Sequence, residues 1–539
     1  MSTVGSVSDS DDECSNNTSR IGKSDVWKFF EKIKNGTSAR CKACGKIYKT
    51  TGNTSNLRDH LRRLHPTIKL CDLPRSSGSI LPFIENKYDK FSARKKAIDN
   101  AISEFVACSI QPFSLVDEKS FRKLINVLDP RYEVPSRTTL KHVQMENLFD
   151  QMKAKLSSTL DKIEHLAITT DLWTSLASKS FITITCHFVD EAFILRSAVL
   201  STNILLDESN HSAQNIADTV RLVLDKWNIY HKISAVVTDN DKTMIKMCQI
   251  IQKRHLPCFA HTLNLIVQEA LKLDCIQPVV VKCKRIVTFF KNSNIAYAKF
   301  RNAQQPGKVY SLKQEVPTRW NSAFSMIQRI ILTNDSIAKV LLGTPKAPAP
   351  LTADEVAILN DIVKLLSPFD NATVKTSSST SVTVSLIIPI VCGLWDTMDG
   401  LKLKLETKEG FNMLAILIDC IKRRLLEYER RTVTRFGTLL HPRFKKEGFL
   451  SPQNVSEATK LLENDITLLN KNVHPANENT EPPTPTESPG HNQPLFQFLK
   501  RNIAKKIRTD RVDSILSLRN YYDSPNLHED CNPLEYWHL

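Results

Sequence analysis

His165-Leu-Ala-Ile-Thr-Thr-Asp-Leu-Trp173 is a strand-like run that closes on an acid and a tryptophan. Two more β-rich runs follow closely, Phe181-Ile-Thr-Ile-Thr-Cys-His-Phe-Val189 and Phe193-Ile-Leu-Arg-Ser-Ala-Val-Leu200. Their β-branched and aromatic content reads as three consecutive strands. The period then changes. A helix is expected from about Ala213 to Trp227, a fourth strand over Ile233-Ser-Ala-Val-Val-Thr238 ending at Asp239, and a further helix from about Lys242. The order β-β-β-α-β-α predicts an α/β core with a mixed sheet. Strand four returns parallel to strand one. Asp171 and Asp239, read as strand ends, then emerge at one edge, where the sites of α/β sheets lie. Two such carboxylates can hold Mg²⁺ or Mn²⁺ for phosphodiester cleavage. Strand-end aspartates also cap the next helix or turn, so topology alone leaves both readings open.

Around this core the chain reads as helical. Residues 91–160 repeat apolar positions at three and four (Ala97, Ile98, Ala101, Ile102, Phe105, Val106), and Pro135-Ser136 starts a second helix over Thr139–Leu160. The sheet core is assigned to 161–262 and a large all-helical region to 263–471. Residues 472–494 form a Pro-rich linker, and a basic amphipathic helix over about Leu495–Tyr522 opens the last region, 495–539. Residues 1–23 are polar, with a run Ser8-Asp9-Ser10-Asp11-Asp12-Glu13 that suits acid-directed phosphorylation. They are expected to be disordered, and 67–90 to be a linker.

Composition narrows the function classes. The 539 residues carry 73 Lys and Arg against 57 Asp and Glu, a formal net charge of +16, and 41% are apolar. That is enough apolar content for a core, and the surplus of cations points to a polyanion. Glycine is scarce, 14 in all, and neither G-x-G nor G-x-x-x-x-G-K-[ST] occurs, which argues against P-loop, Rossmann and kinase phosphate cradles. G-x-S-x-G and H-E-x-x-H are missing too. The apolar stretch near Leu386–Trp395 is interrupted by Pro389 and falls short of the ~20 residues of a membrane helix. The N-terminus lacks a secretory pattern, and thirteen scattered cysteines suit no disulfide framework, so a soluble intracellular protein is expected, with neither membrane nor small-molecule substrate.

Residues 24–66 hold a second chemistry. Cys41-x2-Cys44-x15-His60-x4-His65 has the ligand spacing of a structural zinc, with one pair on a turn closed by Gly45 and the other on a helix over Ser55–Leu64. Leu57, Leu61 and Leu64 are expected to form that helix's core, and both histidines to face one way. So small a unit needs the metal to fold. Lys46, Lys49, Asn53, Ser55, Asn56, Arg58, Arg62 and Arg63 surround the helix as candidates for contact with double-stranded DNA.

Ser24-Asp-Val-Trp27-Lys-Phe29-Phe30 ahead of this spacing resembles a BED-type zinc finger, in which Trp27 and Phe30 pack on the zinc core and the helix binds DNA. Thr169-Thr-Asp171-Leu-Trp173-Thr-Ser175, Val237-Thr-Asp239-Asn240, Cys258-Phe-Ala-His261-Thr-Leu-Asn-Leu265 and Pro317-Thr-Arg319-Trp320-Asn321 together resemble a hAT-superfamily transposase. The resemblance covers most of residues 24–539. It implies an RNase H-like core interrupted by a helical insertion. Asp171 and Asp239 match two acids of a metal-binding triad. Trp320, beside Arg319, matches a residue that stacks near the DNA end, and Cys258 and His261 match a pair near the core. Leu534-Glu535-Tyr536-Trp537 matches the start of the dimerisation region, and no Ser-Glu-Arg motif carrying the third acid occurs.

The expectation is therefore a C-terminally truncated, transposon-derived nuclear protein that binds DNA through one structural Zn²⁺, with Mg²⁺ or Mn²⁺ weak or absent and any homodimer weakened. Import signals are read at Arg94-Lys95-Lys96 and Lys500–Arg508. A truncated metal-dependent transposase and a protein-interaction scaffold are the alternatives.

Overall fold

The computed structural model describes residues 25–33, 37–50, 54–68, 87–305, 307–473 and 510–539. The expectations for the 1–23 tail, Asn53, most of the 67–90 and 472–494 linkers and the 500–508 basic run lie outside the described residues. The chain divides into two compact units, Met1–Gln151 and Met152–Leu539.

In the first unit, strands β1 (Phe30–Ile33), β2 (Ser38–Cys41) and β3 (Ile47–Lys49) form an antiparallel sheet, followed by helix α1 (Ser55–Leu64). Gly45, at φ +76, turns the chain between β2 and β3, and its N–H donates to the Cys41 carbonyl at 2.8 Å. The core is small: Val26, Phe30, Ala39, Leu57 and Leu61 around Cys41, with Trp27 packed against it. Leu64 departs from expectation at 52% exposure, because the helix ends there, beyond the reach of the short sheet. In the helical part of the same unit, Ile102, Val106, Val116 and Leu140 are buried, whereas Phe105 faces out.

The second unit opens on a five-stranded sheet. Strands β4 (Leu166–Thr174), β5 (Ser180–Val189) and β6 (Leu195–Ile204) run antiparallel; β7 (Ile233–Thr238) and β8 (His255–Pro257) add in parallel, giving the order β6-β5-β4-β7-β8. Helices α2 (Ala213–Lys226) and α3 (Lys242–Ile250) complete the β-β-β-α-β-α order. Ile168, Ile182, Ile184 and Cys186 bury one sheet face in a common core with Val220, Leu224 and Met247. Strand β8 adds to the sequence expectation: three residues ending in proline carry no periodic signal, and Pro257 is tolerated because the strand is an edge.

Helix α4 (Phe259–Leu271) follows β8 at once, so the expected boundary at 262/263 falls inside a helix. It leads into a second, larger core that includes Leu263, Ile286, Phe290, Phe324, Leu366, Leu417 and Tyr428. The 21-residue run Val384–Lys404 is long and apolar enough by composition to cross a membrane, which corrects the reading of that stretch as too short. Pro389 lies inside its helix, and Ile387, Val391, Leu394 and Met398 belong to the helical core.

Asp361 is fully buried in this region. Its Oδ2 accepts from the Glu406 and Thr407 N–H groups at 3.0 and 2.8 Å and so holds Thr407, whose hydroxyl caps the helix that follows through the Gly410 N–H at 3.0 Å. The terminal residues also fold onto their own chain. Helix Asp510–Asp523 packs on helix Pro452–Val473, and buried Lys445 donates to the carbonyls of Tyr521, Ser524 and Pro525 at its C-terminal end.

Candidate metal centre and nucleic-acid interface

The ligand atoms of Cys41, Cys44, His60 and His65 lie within 4.8 Å of one another. Residue His65 lies just beyond α1, at φ −135 and ψ 58, with its N–H on the Leu61 carbonyl at 2.9 Å. This corrects the expectation that both histidines ride one helical face. Five residues along a continuous helix would turn the second ring about 140° from the first. Ending the helix at Leu64 brings it back. The His60 Nε2 is 3.3 Å from the Cys44 Sγ, and its Nδ1 is 2.9 Å from the Tyr48 hydroxyl. With Nε2 on a metal, Nδ1–H donates to Tyr48, which fixes the tautomer and the ring. Burial, His65 and Lys46 all lower the His60 pKa, which favours the neutral, metal-binding form. The buried His65 Nε2 has no hydrogen-bond partner. Two thiols, two imidazoles and that unpartnered nitrogen fit one tetrahedral zinc, and the finger holds one structural Zn²⁺.

Leu57, His60 and Leu61 face the core, so the opposite face of α1 is turned away from it. Ser55, Asn56, Arg62 and Arg63 are exposed there, Arg58 is half-buried, and Lys46 and Lys49 are exposed at β3. Asp59 sits exposed among them and is absent from the sequence expectation, which named only cations and neutral polar residues. Such a carboxylate disfavours phosphate and can accept from cytosine N4. Tyr48 was missed too, since no spacing rule marks the residue that orients a ligand. Phe30 packs edge-on to His60 at 5.7 Å, whereas Trp27 is half-buried under the Lys32 ammonium at 4.4 Å.

Asp171 is not at a strand end. Strand β4 runs on to Thr174, and Asp171 pairs with Thr183 of β5. The parallel β4–β7 pairing reaches Thr169 opposite Val237. Asp171 and Asp239 each lie two residues beyond that last pair, Asp171 still within β4 and Asp239 just past the end of β7. Asp171 is exposed. Asp239 is half-buried and accepts the Asp241 N–H at 3.2 Å, while Asp241 caps α3 through the Thr243 N–H at 2.7 Å. Among the described residues, the zinc set is the only group of three or more metal-ligating side chains, so no third one joins this pair.

The segments around these acids interlock. The Cys258 N–H donates to the Thr238 carbonyl at 2.7 Å, Asn240 donates to Thr262 at 2.9 Å, and the Thr262 and Tyr428 hydroxyls meet at 2.9 Å. Asn264 accepts the Trp320 N–H at 3.1 Å. The Trp320 ring is 3% exposed in the helical core. Little of it is therefore open to a base, although part of it lines a surface cleft, and Arg319 beside it is exposed. Cys258 and His261 are half-buried at the start of α4, and neither belongs to a metal-ligating group. Of the Arg94-Lys95-Lys96 signal, Lys95 is held by Asp99 at 3.1 Å and is only 17% exposed, which weakens that cluster as an import signal. Glu535 lies on the short helix Pro533–His538, whose Trp537 indole N–H donates to the Leu440 carbonyl at 2.8 Å.

Residues 24–66 match the BED zinc finger family model. The chain carries a BED zinc finger. Residues 169–262 match the ZBED1 RNase-like domain and residues 256–365 the ZBED1 RNase-like helical domain, so an RNase H-like core joined to a helical region is its architecture. Zinc finger BED domain-containing protein 4 of Homo sapiens is 24% identical over 96% of this chain and 47% of its own length. The putative AC transposase of Zea mays is 25% identical over 70% of this chain and 50% of its own length. The putative transcriptional regulator tpeD of Talaromyces stipitatus is 23% identical over 66% of this chain and 45% of its own. The chain spans about half the length of the curated relatives it matches. Its relatives are thus both zinc finger BED proteins and hAT transposases.

Proposed function

We propose that this is a transposase-derived, zinc-dependent DNA-binding protein of the nucleus, acting as a transcription or chromatin regulator. The zinc cluster carries the reading: it fixes α1 with its apolar side inward and Asn56, Arg58, Arg62 and Arg63 on the other. A helix N-terminus can reach base edges while the cations hold phosphates. Relatives named as a transcriptional regulator and as BED-domain proteins support the regulatory side. The test is selection of binding sites from random duplexes with the full chain, then anisotropy on the selected site. One zinc per chain and a preferred site are expected, with both lost in Cys44→Ala. A variant that keeps the preferred site overturns the finger's role.

Metal-dependent DNA cleavage is the second reading, favoured by Asp171 and Asp239 each lying two residues beyond the last pair of the parallel β4–β7 ladder and by the transposase relative. Against it stands the lack of a third ligand beside the pair among the described residues. A two-carboxylate site leaves a divalent ion loosely fixed, and metal-ion catalysis needs fixed coordination. The purified chain with Mn²⁺ and transposon terminal repeats should not cut DNA. Cleavage that disappears in Asp171→Ala would make this the leading reading.

A further inference from the structure

Two open clefts adjoin on the helical region of the second unit. The first, about 300 Å³, is lined by Lys272, Gln277, Lys284, Glu315 and Trp320. The second, about 710 Å³, is lined by Lys284, Arg285, Phe289, Asn292, Lys346 and Pro348. Val281 and Lys284 line both, so the clefts form one groove along helix Gln277–Asn292. From Gln277 to Asn292 that helix is about 24 Å long.

The groove's charge is one-sided. Its walls carry Lys272, Lys284, Arg285 and Lys346 against the single carboxylate of Glu315. Lys284 neutralises Glu315 at 2.6 Å. Lys282, on the same helix, is paired with Glu355 at 2.6 Å and lies outside the lining. Lys272, Arg285 and Lys346 are exposed and, among the described residues, paired with no acid. Between them run apolar surfaces of Val280, Val281, Phe289 and Pro348. Three unpaired cations spaced along an apolar floor suit a chain with regular negative charges and flat apolar faces. On one strand of B-DNA, ~24 Å of rise spans about seven phosphates.

We propose that this groove is a second, sequence-independent nucleic-acid contact, in which Lys272, Arg285 and Lys346 hold the phosphates of one strand. The proposal deepens the DNA-binding reading but is independent of the finger. The finger selects a site, and the groove adds affinity through counterion release. An acidic peptide is the competing occupant. It brings charge, but its flexible carboxylates gain less from the apolar floor.

The test uses the full chain carrying Cys44→Ala, which removes the finger and leaves the second unit with its own cores. The probes are a thymidine homopolymer, a mixed-sequence duplex and polyglutamate, each titrated across salt. The finger-free chain should keep salt-sensitive DNA binding. Adding Lys272→Ala, Arg285→Ala and Lys346→Ala should weaken it at least about tenfold at low salt and cut the log–log salt slope by about 2–3. These side chains are exposed, so an unchanged melting temperature verifies folding, and Lys346→Arg should restore part of the affinity. Unaltered DNA binding in the triple variant overturns the proposal, as does a finger-free chain that binds no DNA. Polyglutamate binding at least as tightly as DNA overturns it in favour of a protein partner. Loss of site selection with groove binding intact, in the wild-type chain, would instead count against the finger reading alone.

Discussion

The finger and the helical region solve the same folding problem by opposite means. The finger buries only Val26, Phe30, Ala39, Leu57 and Leu61 around Cys41, and its order depends on four ligands converging on one ion. The helical region buries a continuous run of apolar side chains from Leu256 to Tyr428 and holds no metal-ligating group among its described residues. The first is specified by a handful of ligands, the second by many interchangeable apolar contacts. Chelation should therefore separate them. Structural zinc contributes about 10–16 kcal/mol to such small domains. A strong chelator, or Cys44→Ala, should unfold residues 24–66 while leaving the main thermal transition of the second unit in place. Circular dichroism melts with and without chelator decide this. Loss of the main transition would mean that zinc supports both units.

The next largest effect tests whether Trp320 belongs to the second kind of region. A ring 3% exposed among Phe324, Ile327 and their neighbours is a packing residue. Trp320→Ala should cost about 3–5 kcal/mol of the second unit's stability and leave zinc content unchanged. A variant that melts like the wild type but binds DNA less well would return the residue to the DNA-contact role.

How much was legible in the sequence follows the same division. The zinc ligands were readable because chemistry fixes both residue type and spacing. The three antiparallel strands and β7 were readable because each has its own period. What escaped depends on three-dimensional packing. Strand β8 is too short to show a period, and its partner is Val236–Thr238, some twenty residues earlier. Asp171 lies inside β4 because pairing with β5 carries the strand on to Thr174, past the apolar run. Leu64 looked like core because its helical phase matches Leu57, yet nothing in the finger reaches it. Trp320 was read by resemblance as a DNA contact, and its place in the helical core, which no spacing announces, shows only in its burial.

A smaller effect sharpens the finger's side. Tyr48 holds His60 at 2.9 Å without touching the metal position. Removing the hydroxyl should loosen the ligand but leave the fold. Groups that orient metal ligands typically matter by about 10–100-fold in metal affinity. Tyr48→Phe should weaken zinc by that order in a competition titration with a chromophoric chelator. An unchanged affinity would leave the hydroxyl a bystander.

The smallest expected effect is confined to the second unit and reads its burial through pH. His441 is 4% exposed, packs on Phe444 at 4.5 Å between ring centroids, and its Nδ1 accepts the Arg443 N–H at 3.3 Å. Burial first, and then the Arg443 charge, lower its pKa to about 4. In the unfolded chain the same imidazole titrates near the ordinary ~6.5. Between those values the unfolded state binds the extra proton and the folded state does not, so stability falls as pH drops from about 6.5 towards 4. Above 6.5 both states are neutral, and the group makes stability no more pH-dependent. His441→Gln removes the titration while keeping a hydrogen-bonding side chain of similar reach. The wild-type melting temperature should therefore drop by about 3 °C more than the variant's across that window. The finger's melting must be removed first, by Cys44→Ala in both chains, because acid also protonates zinc ligands. Parallel melting curves for the two proteins from pH 7 to 4 would show that His441 is hydrated and titrates normally, and would remove it from the buried core.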